Sequence, residues 1–249
     1  MSFKKIPNGP LKDIALFCFP YAGAGASVFF PWGKGISGGV DVYAFEAAGK
    51  GDRYSEALPK EFNTLATEAA AAILGKNYKS IILFGHSLGA LLAYETAKTL
   101  KDNGCSPLSI IFSGRQAPSL ASKMEPLSHL PNQQFIEKIK LLGGTPQEIF
   151  EEPELLNIIL PILKNDFFLA ECYEDSNPYD LGVPVIVLSG QTDPWVNIDD
   201  LHHWSSVTSN SFEIEIFERD HFFITENELG LFKYLNHKFN KLIYGNAVL

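Results

Sequence analysis

Short apolar runs, each bounded by Gly, Pro or a polar turn, recur at residues 14–19, 40–45, 80–84, 108–112 and 183–188. Their length and bounding residues predict buried strands. Helical patterns lie between several of them. Residues 61–74 carry Phe62, Leu65, Ala69 and Ile73 at helical spacing, and 88–100 has no Pro and no Gly beyond Gly89. Residues 212–217 alternate apolar and acidic side chains, the pattern of a half-exposed edge strand, and Leu229, Phe232 and Leu235 begin a closing helix. Strands alternating with helices imply a mostly parallel sheet covered on both faces, a doubly wound α/β core.

One stretch breaks this rhythm. Residues 115–178 hold no strand pattern but two helical ones, around 134–142 and 154–169, separated by Gly143-Gly144-Thr145-Pro146. We expect an inserted helical cap on one domain spanning residues 1–249, because long insertions in compact α/β domains commonly carry binding loops and lids.

The chain has 249 residues, enough for one complete core. Its net charge of −9 argues against binding phosphate backbones, which needs a basic stripe. No apolar run reaches the length of a membrane span, and residues 6–10 offer no apolar segment of a signal peptide. Three cysteines, Cys18, Cys105 and Cys172, lack metal or CxxC spacing. They point to buried or neutral free thiols in a reducing, cytoplasmic setting. No cofactor or metal is expected, and the chain is expected to be a monomer.

The chemistry centres on Gly85-His86-Ser87-Leu88-Gly89, a GxSxG pattern directly after one predicted strand and before a helix. There the sharp turn exposes the serine, and the glycines let strand and helix approach. A hydroxyl needs a base, and the base needs an orienting carboxylate. In an α/β-hydrolase fold the acid and then the histidine follow the serine along the chain. His221, in a turn after residues 212–217, is the candidate base; His237 falls inside the terminal helix. Asp193, just past the strand at 183–188, is the candidate acid, with Asp199 and Asp200 as competitors that could instead cap a helix. His86 is expected to project away from the serine, His129 to lie in the cap, and His202 and His203 in a surface helix. Two backbone N–H groups must hold the oxyanion. Leu88 follows the nucleophile, and Ala22, with Tyr21 next, lies in the small-residue loop Phe19-Pro20-Tyr21-Ala22-Gly23-Ala24-Gly25-Ala26. That loop lacks the spacing of a phosphate or dinucleotide cradle.

With these residues in place, the chain resembles the type II thioesterases, stand-alone editing enzymes of non-ribosomal peptide and polyketide synthases. Phe19-Pro20-Tyr21-Ala22-Gly23 is similar to that family's oxyanion loop, Gly85-His86-Ser87-Leu88-Gly89-Ala90 to its elbow, and Ser113-Gly114-Arg115-Gln116-Ala117-Pro118 to its lead into the cap. Gly143-Gly144-Thr145-Pro146, Leu160-Pro161-Ile162-Leu163-Lys164-Asn165-Asp166, Ser189-Gly190-Gln191-Thr192-Asp193 and His221-Phe222-Phe223 follow in the family's order. Two segments depart: Ala48-Gly49-Lys50-Gly51 stands where Pro-Gly-Arg-Gly is common, and Arg219-Asp220-His221 where Gly-Gly-His is. Neither removes a triad group.

The resemblance implies an α/β-hydrolase fold and a substrate acyl group carried as a thioester on the phosphopantetheine arm of an acyl or peptidyl carrier domain. Hydrolysis of small esters, as by a carboxylesterase or lipase, or acyl transfer would use the same triad. Carrier domains are typically acidic in such systems, so docking on a chain of the same sign requires a local basic patch. Lys50, Arg53 and Arg115 are the candidates for it, on loops near the pocket mouth.

Overall fold

The structure is a computed structural model that describes residues 1–36, 39–120, 124–226 and 228–245. Seven strands, β1 (Phe3–Ile6), β2 (Ile14–Phe19), β3 (Val40–Phe45), β4 (Ser80–His86), β5 (Ser109–Ser113), β6 (Val185–Gly190) and β7 (Phe212–Phe217), form one sheet in the order β1-β3-β2-β4-β5-β6-β7. β1 runs antiparallel to β3, and every other pairing is parallel. This is the α/β-hydrolase architecture anticipated from the alternation of strand and helix patterns.

The helices are α1 (Trp32–Gly35), α2 (Phe62–Leu74), α3 (Leu88–Asp102), α4 (Asn132–Leu142), α5 (Gln147–Glu151), α6 (Pro153–Glu171), α7 (Phe223–Glu226) and α8 (Glu228–Tyr244). The two-residue period of the strands feeds two separate cores. Phe17 and Phe19, Leu83, Phe112 and Val187 point to the face covered by α2 and α3, whereas Leu16, Ile82, Phe84, Ile111 and Leu188 meet α1 and α8 on the other. Burial on both faces is why the central runs are continuously apolar rather than alternating. On β7, Glu213 faces outward and accepts from Tyr234 Oη of α8 at 2.9 Å, as befits an edge.

Two features differ from the sequence reading, and the burial of the cysteines is resolved one by one. β1 was not anticipated, because two lysines separate its buried Phe3 and Ile6; it forms by antiparallel pairing with β3 rather than by an apolar run of its own. The segment holding His202 and His203 is a 3-10 helix, Ile198–Val207, whose cap is Asn197. Only Cys18 is buried; Cys105 is half-buried and Cys172 exposed, and all three are free.

Between β5 and β6 the described residues contain no strand. Helices α4, α5 and α6 occupy that stretch and gather around their own small core of Leu127, Phe135, Ile139, Leu160 and Leu163. α6 is the bridge, since its Leu169 belongs to the α2/α3 core while its earlier turns belong to this one. Among the described residues no helix is long and apolar enough to cross a membrane.

The carboxyl end of β5 is fixed by aromatic packing. Phe112 stacks on Trp204 with ring centroids 4.0 Å apart, and Trp204 Nε1 donates to Arg115 O at 2.8 Å. Phe112→Ala is therefore expected to lower stability by about 3–5 kcal/mol, the usual loss for an emptied aromatic site, as measured by urea unfolding.

Candidate active site

Only Ser87 separates β4 from α3. Its φ of 55° lies in a region that residues with side chains rarely adopt, and such strain persists only where the surroundings over-determine it. The surroundings here are backbone. A Cβ on Gly85 would sit 2.0 Å from Gly89 O, and one on Gly89 would sit 2.1 Å from Phe19 O. The ends of β4 and β2 and the start of α3 thus meet without side chains between them. Ser87 N donates to Ser113 O at 2.8 Å, tying the turn to β5 as well. Leu88 opens α3, so its N–H belongs to the first turn, whose amides have no acceptor within the helix.

A second close approach assembles the other half. Gly190 ends β6, and a Cβ there would lie 2.1 Å from Asp220 O, so the loops leaving β6 and β7 cross in contact. Gln191 N bonds Phe217 O at 2.7 Å and Thr192 N bonds Arg219 O at 3.0 Å. This crossing brings His221 Nδ1 to 2.6 Å from Asp193 Oδ2, with both residues buried. Asp193 Oδ1 accepts from Trp195 N at 2.9 Å, which fixes the carboxylate, and the Trp195 ring packs against the imidazole with centroids 4.2 Å apart. Asp220 accepts from Phe222 N at 2.9 Å and shapes the turn. Asp199 and Asp200 sit at the start of the 3-10 helix.

Ser87, His221, Leu88, Ala22 and Tyr21 all line one cavity of about 930 Å³, its open mouth included. Ile139, Leu142, Leu163 and Phe167 from α4 and α6 supply an apolar wall. His129, His202, His203 and His237 are not part of its lining.

The loop bearing Ala22 is held by two carboxylates that sequence reasoning missed. Asp166 Oδ2, from α6, accepts from Gly23 N at 2.7 Å and from Lys50 Nζ at 2.5 Å, and Lys50 also donates to Ala24 O at 3.0 Å. Glu46 Oε1 accepts from Ala26 N at 3.1 Å. The available signal was a lone aspartate in the otherwise apolar face of a helix, which demands a buried partner.

His86 is not part of the cavity lining, yet it is fully buried, shares a 2.9 Å hydrogen bond with Ser113 Oγ, and packs 4.9 Å from the His221 ring. Burial, with His221 nearby, pushes it well below the usual imidazole range, so it stays neutral. Gly114 makes room for this pair, since a Cβ there would lie 2.5 Å from His86 Cε1. One expectation fails: Lys50, Arg53 and Arg115 do not form an open basic patch. Lys50 is buried against Asp166, Arg53 is bonded to Glu56 and Glu68, and Arg115 lines the cavity. Each is drawn inward because loop carboxylates or the cavity wall take it before solvent does.

The sequence model of the thioesterase domain matches residues 15–239. The thioesterase PikA5 of Streptomyces venezuelae is 33% identical over 90% of this chain and 80% of its own length. A Brevibacillus parabrevis protein named linear gramicidin dehydrogenase LgrE is 30% identical over 94% of this chain and 90% of its own. The dinucleotide spacing that a dehydrogenase name calls for is absent from the glycine loop after β2. Among solved structures, the type II thioesterase BorB from the borrelidin biosynthetic cluster superposes with a TM-score of 0.86, at 27% identity over 95% of this chain and 97% of that one.

Because Lys50 and Asp166 are both buried, removing one leaves the other uncompensated. Lys50→Met should lower stability by about 3–5 kcal/mol, and the double variant Lys50→Met/Asp166→Leu should recover much of that loss in denaturant titrations.

Proposed function

The chain belongs to the thioesterase domain family and is a hydrolase acting on thioesters, and on that premise we propose that Ser87 is its nucleophile, His221 its general base and Asp193 the acid that orients the base. The observation that carries this reading is the buried 2.6 Å bond between His221 Nδ1 and Asp193 Oδ2 on the cavity that also holds the strained Ser87. A carboxylate only accepts, so Nδ1 carries the proton and Nε2 is left as the lone-pair nitrogen. The second bond, from Trp195 N to Asp193 Oδ1, holds the carboxylate in the orientation that favours this tautomer.

In the proposed reaction His221 Nε2 takes the Ser87 proton as Oγ attacks the thioester carbonyl. The negative charge that develops on the carbonyl oxygen is held by the N–H groups of Ala22 and Leu88, which the turn and the helix start present without further ordering. Collapse of the tetrahedral intermediate breaks the carbon–sulfur bond and releases the thiol. It leaves readily, so protonation by the imidazolium matters less than for an amine. Water then enters, His221 removes its proton, and attack on the acyl-serine returns Ser87 and the free acid. The chain's own residues meet every proton and charge demand of this sequence, and it calls for no cofactor.

We assign as substrate an acyl group on the phosphopantetheine arm of a synthase carrier domain, unloaded in the cytoplasm. Support comes from relatives such as PikA5 and from the biosynthetic-cluster origin of BorB. The apolar wall from α4 and α6 suits an acyl chain. With Lys50, Arg53 and Arg115 turned inward, carrier recognition has to use other surface.

Ser87→Ala should abolish hydrolysis of acyl-carrier thioesters by several orders of magnitude in a thiol-release assay while the circular dichroism spectrum is unchanged. Near-normal turnover would end the assignment. Asp193→Asn should lower kcat roughly 10⁴-fold, the size of the corresponding loss in serine proteases, and more than Asp200→Asn. Asp166→Asn weakens the clamp on Gly23 N, so it should lower kcat with little change in KM, as expected for a group that orders the oxyanion loop rather than binding substrate.

A further inference from the structure

Two donors in the cavity wall are not used by the reaction described above. Gly114 (φ 60°) follows β5, and beyond it Arg115 and Gln116 both line the cavity that holds Ser87. Arg115 is anchored by its backbone, through Trp204 Nε1 on its carbonyl. Among the described residues its guanidinium has one hydrogen bond, Nη2 to Ala170 O at a long 3.4 Å, and no carboxylate within ion-pair distance. Gln116 is 6% exposed, and its Nε2 has no partner among the described residues. An arginine offers five donors in a planar fork, and buried amide donors are nearly always satisfied. Leaving the buried Gln116 amide open is costly unless a ligand completes it, and the half-buried Arg115 fork beside it is open to the same ligand.

The neighbouring acids do not complete them. Glu171 shares the lining, but its oxygens accept from Leu127 N, Ser128 N and Ser128 Oγ. Arg115 and Gln116 also border a second cavity, where Glu174 and Asp175 repel an anion. Burial pushes the guanidinium down to about 10, still charged at neutral pH and with no carboxylate to raise it. The remaining wall is apolar, including Ile139, Leu163 and Phe167.

We propose that Arg115 and Gln116 form a subsite for an acceptor oxygen on the acyl chain itself, best met by a distal carboxylate, so that the enzyme prefers acyl groups bearing such an oxygen over plain alkyl acyl groups. This rests on the thioesterase reading of the same cavity and names its substrate class. A carboxylate matches the guanidinium fork with two parallel bonds and neutralises it, while the Gln116 amide adds a third donor. Hydrocarbon of the chain lies along the apolar wall between this subsite and the thioester. The phosphate of the carrier arm shares the same chemistry, and the two sources are separable by experiment.

The test compares ω-carboxyacyl with length-matched alkyl thioesters of N-acetylcysteamine, which has no phosphate: adipyl against hexanoyl and pimelyl against heptanoyl. The expected result is a kcat/KM at least tenfold higher for the carboxylated member of a pair. That ratio should collapse at least tenfold in Arg115→Met and fall several-fold in Gln116→Leu, with partial retention in Arg115→Lys. Binding is read independently of catalysis by titrating the adipyl and hexanoyl thioesters of N-acetylcysteamine into the Ser87→Ala protein, where the adipyl thioester should bind at least tenfold tighter and Arg115→Met should erase the difference. Equal handling of both members, or a ratio indifferent to Arg115→Met and Gln116→Leu, overturns the proposal. So does an Arg115→Met defect seen only with carrier-bound substrates, which would assign the donors to the arm's phosphate. Because the titration needs no turnover, its failure is distinct from failure of the Ser87 assignment, which would appear as absent hydrolysis of hexanoyl and adipyl thioesters alike.

Discussion

Backbone touching backbone at Gly85, Gly89 and Phe19 is the constraint on which the site depends. No side chain larger than hydrogen fits at either glycine, so the ends of β2 and β4 and the start of α3 converge more closely than ordinary packing allows. That convergence places three functional elements within one cavity: a serine on a strained turn, the first amide of a helix, and the loop that follows β2. The contact of Gly190 with the Asp220 carbonyl repeats the device on the far side of β5 and joins the loops that carry Asp193 and His221. The parallel sheet positions both crossings because its carboxyl ends all open on one edge, where ligands gather in such folds.

The segment between β5 and β6 is tied to this geometry by charge as well as by packing. Asp166 comes from α6, yet it accepts an amide from the loop after β2 and a lysine from the loop after β3. A buried carboxylate with a single cation and a backbone donor favours one arrangement, so α6 and the loop after β2 hold each other in register. Such polar clamps add little net stability compared with apolar packing of the same volume, and specificity of arrangement is their better-attested contribution.

The sheet was legible because burial on both faces writes itself as unbroken apolar runs, and the strand at 183–188 differs from β6 (Val185–Gly190) only by a shift at its ends. Ser87, Asp193 and His221 could be singled out as candidates because the elbow pattern is local and the α/β-hydrolase order places an acid and then a histidine after it. What the sequence hid depends on contacts between distant segments. β1 exists through its partner, and Lys50 reads as a surface residue until Asp166, 116 positions away, is brought beside it. His86 lies within the motif, but its packing on His221 depends on the missing side chain of Gly114, in the turn that follows β5. Charge in loops was the weakest guide, since a formal count does not say which charges fold inward.

Phe222 follows His221 in the chain, and its ring occupies the space that a side chain at Gly144 would need, with only 2.2 Å between a Cβ there and Cζ. The same ring meets Tyr21 of the loop after β2 at 5.3 Å and Trp195 at 6.0 Å. It therefore works as a shared bearing surface, on which the linker between α4 and α5, the loop bearing His221 and the loop after β2 all rest. Shape at position 144 is consequently not a private matter of the linker: any bulk introduced there is transmitted through one ring to the immediate neighbour of the imidazole.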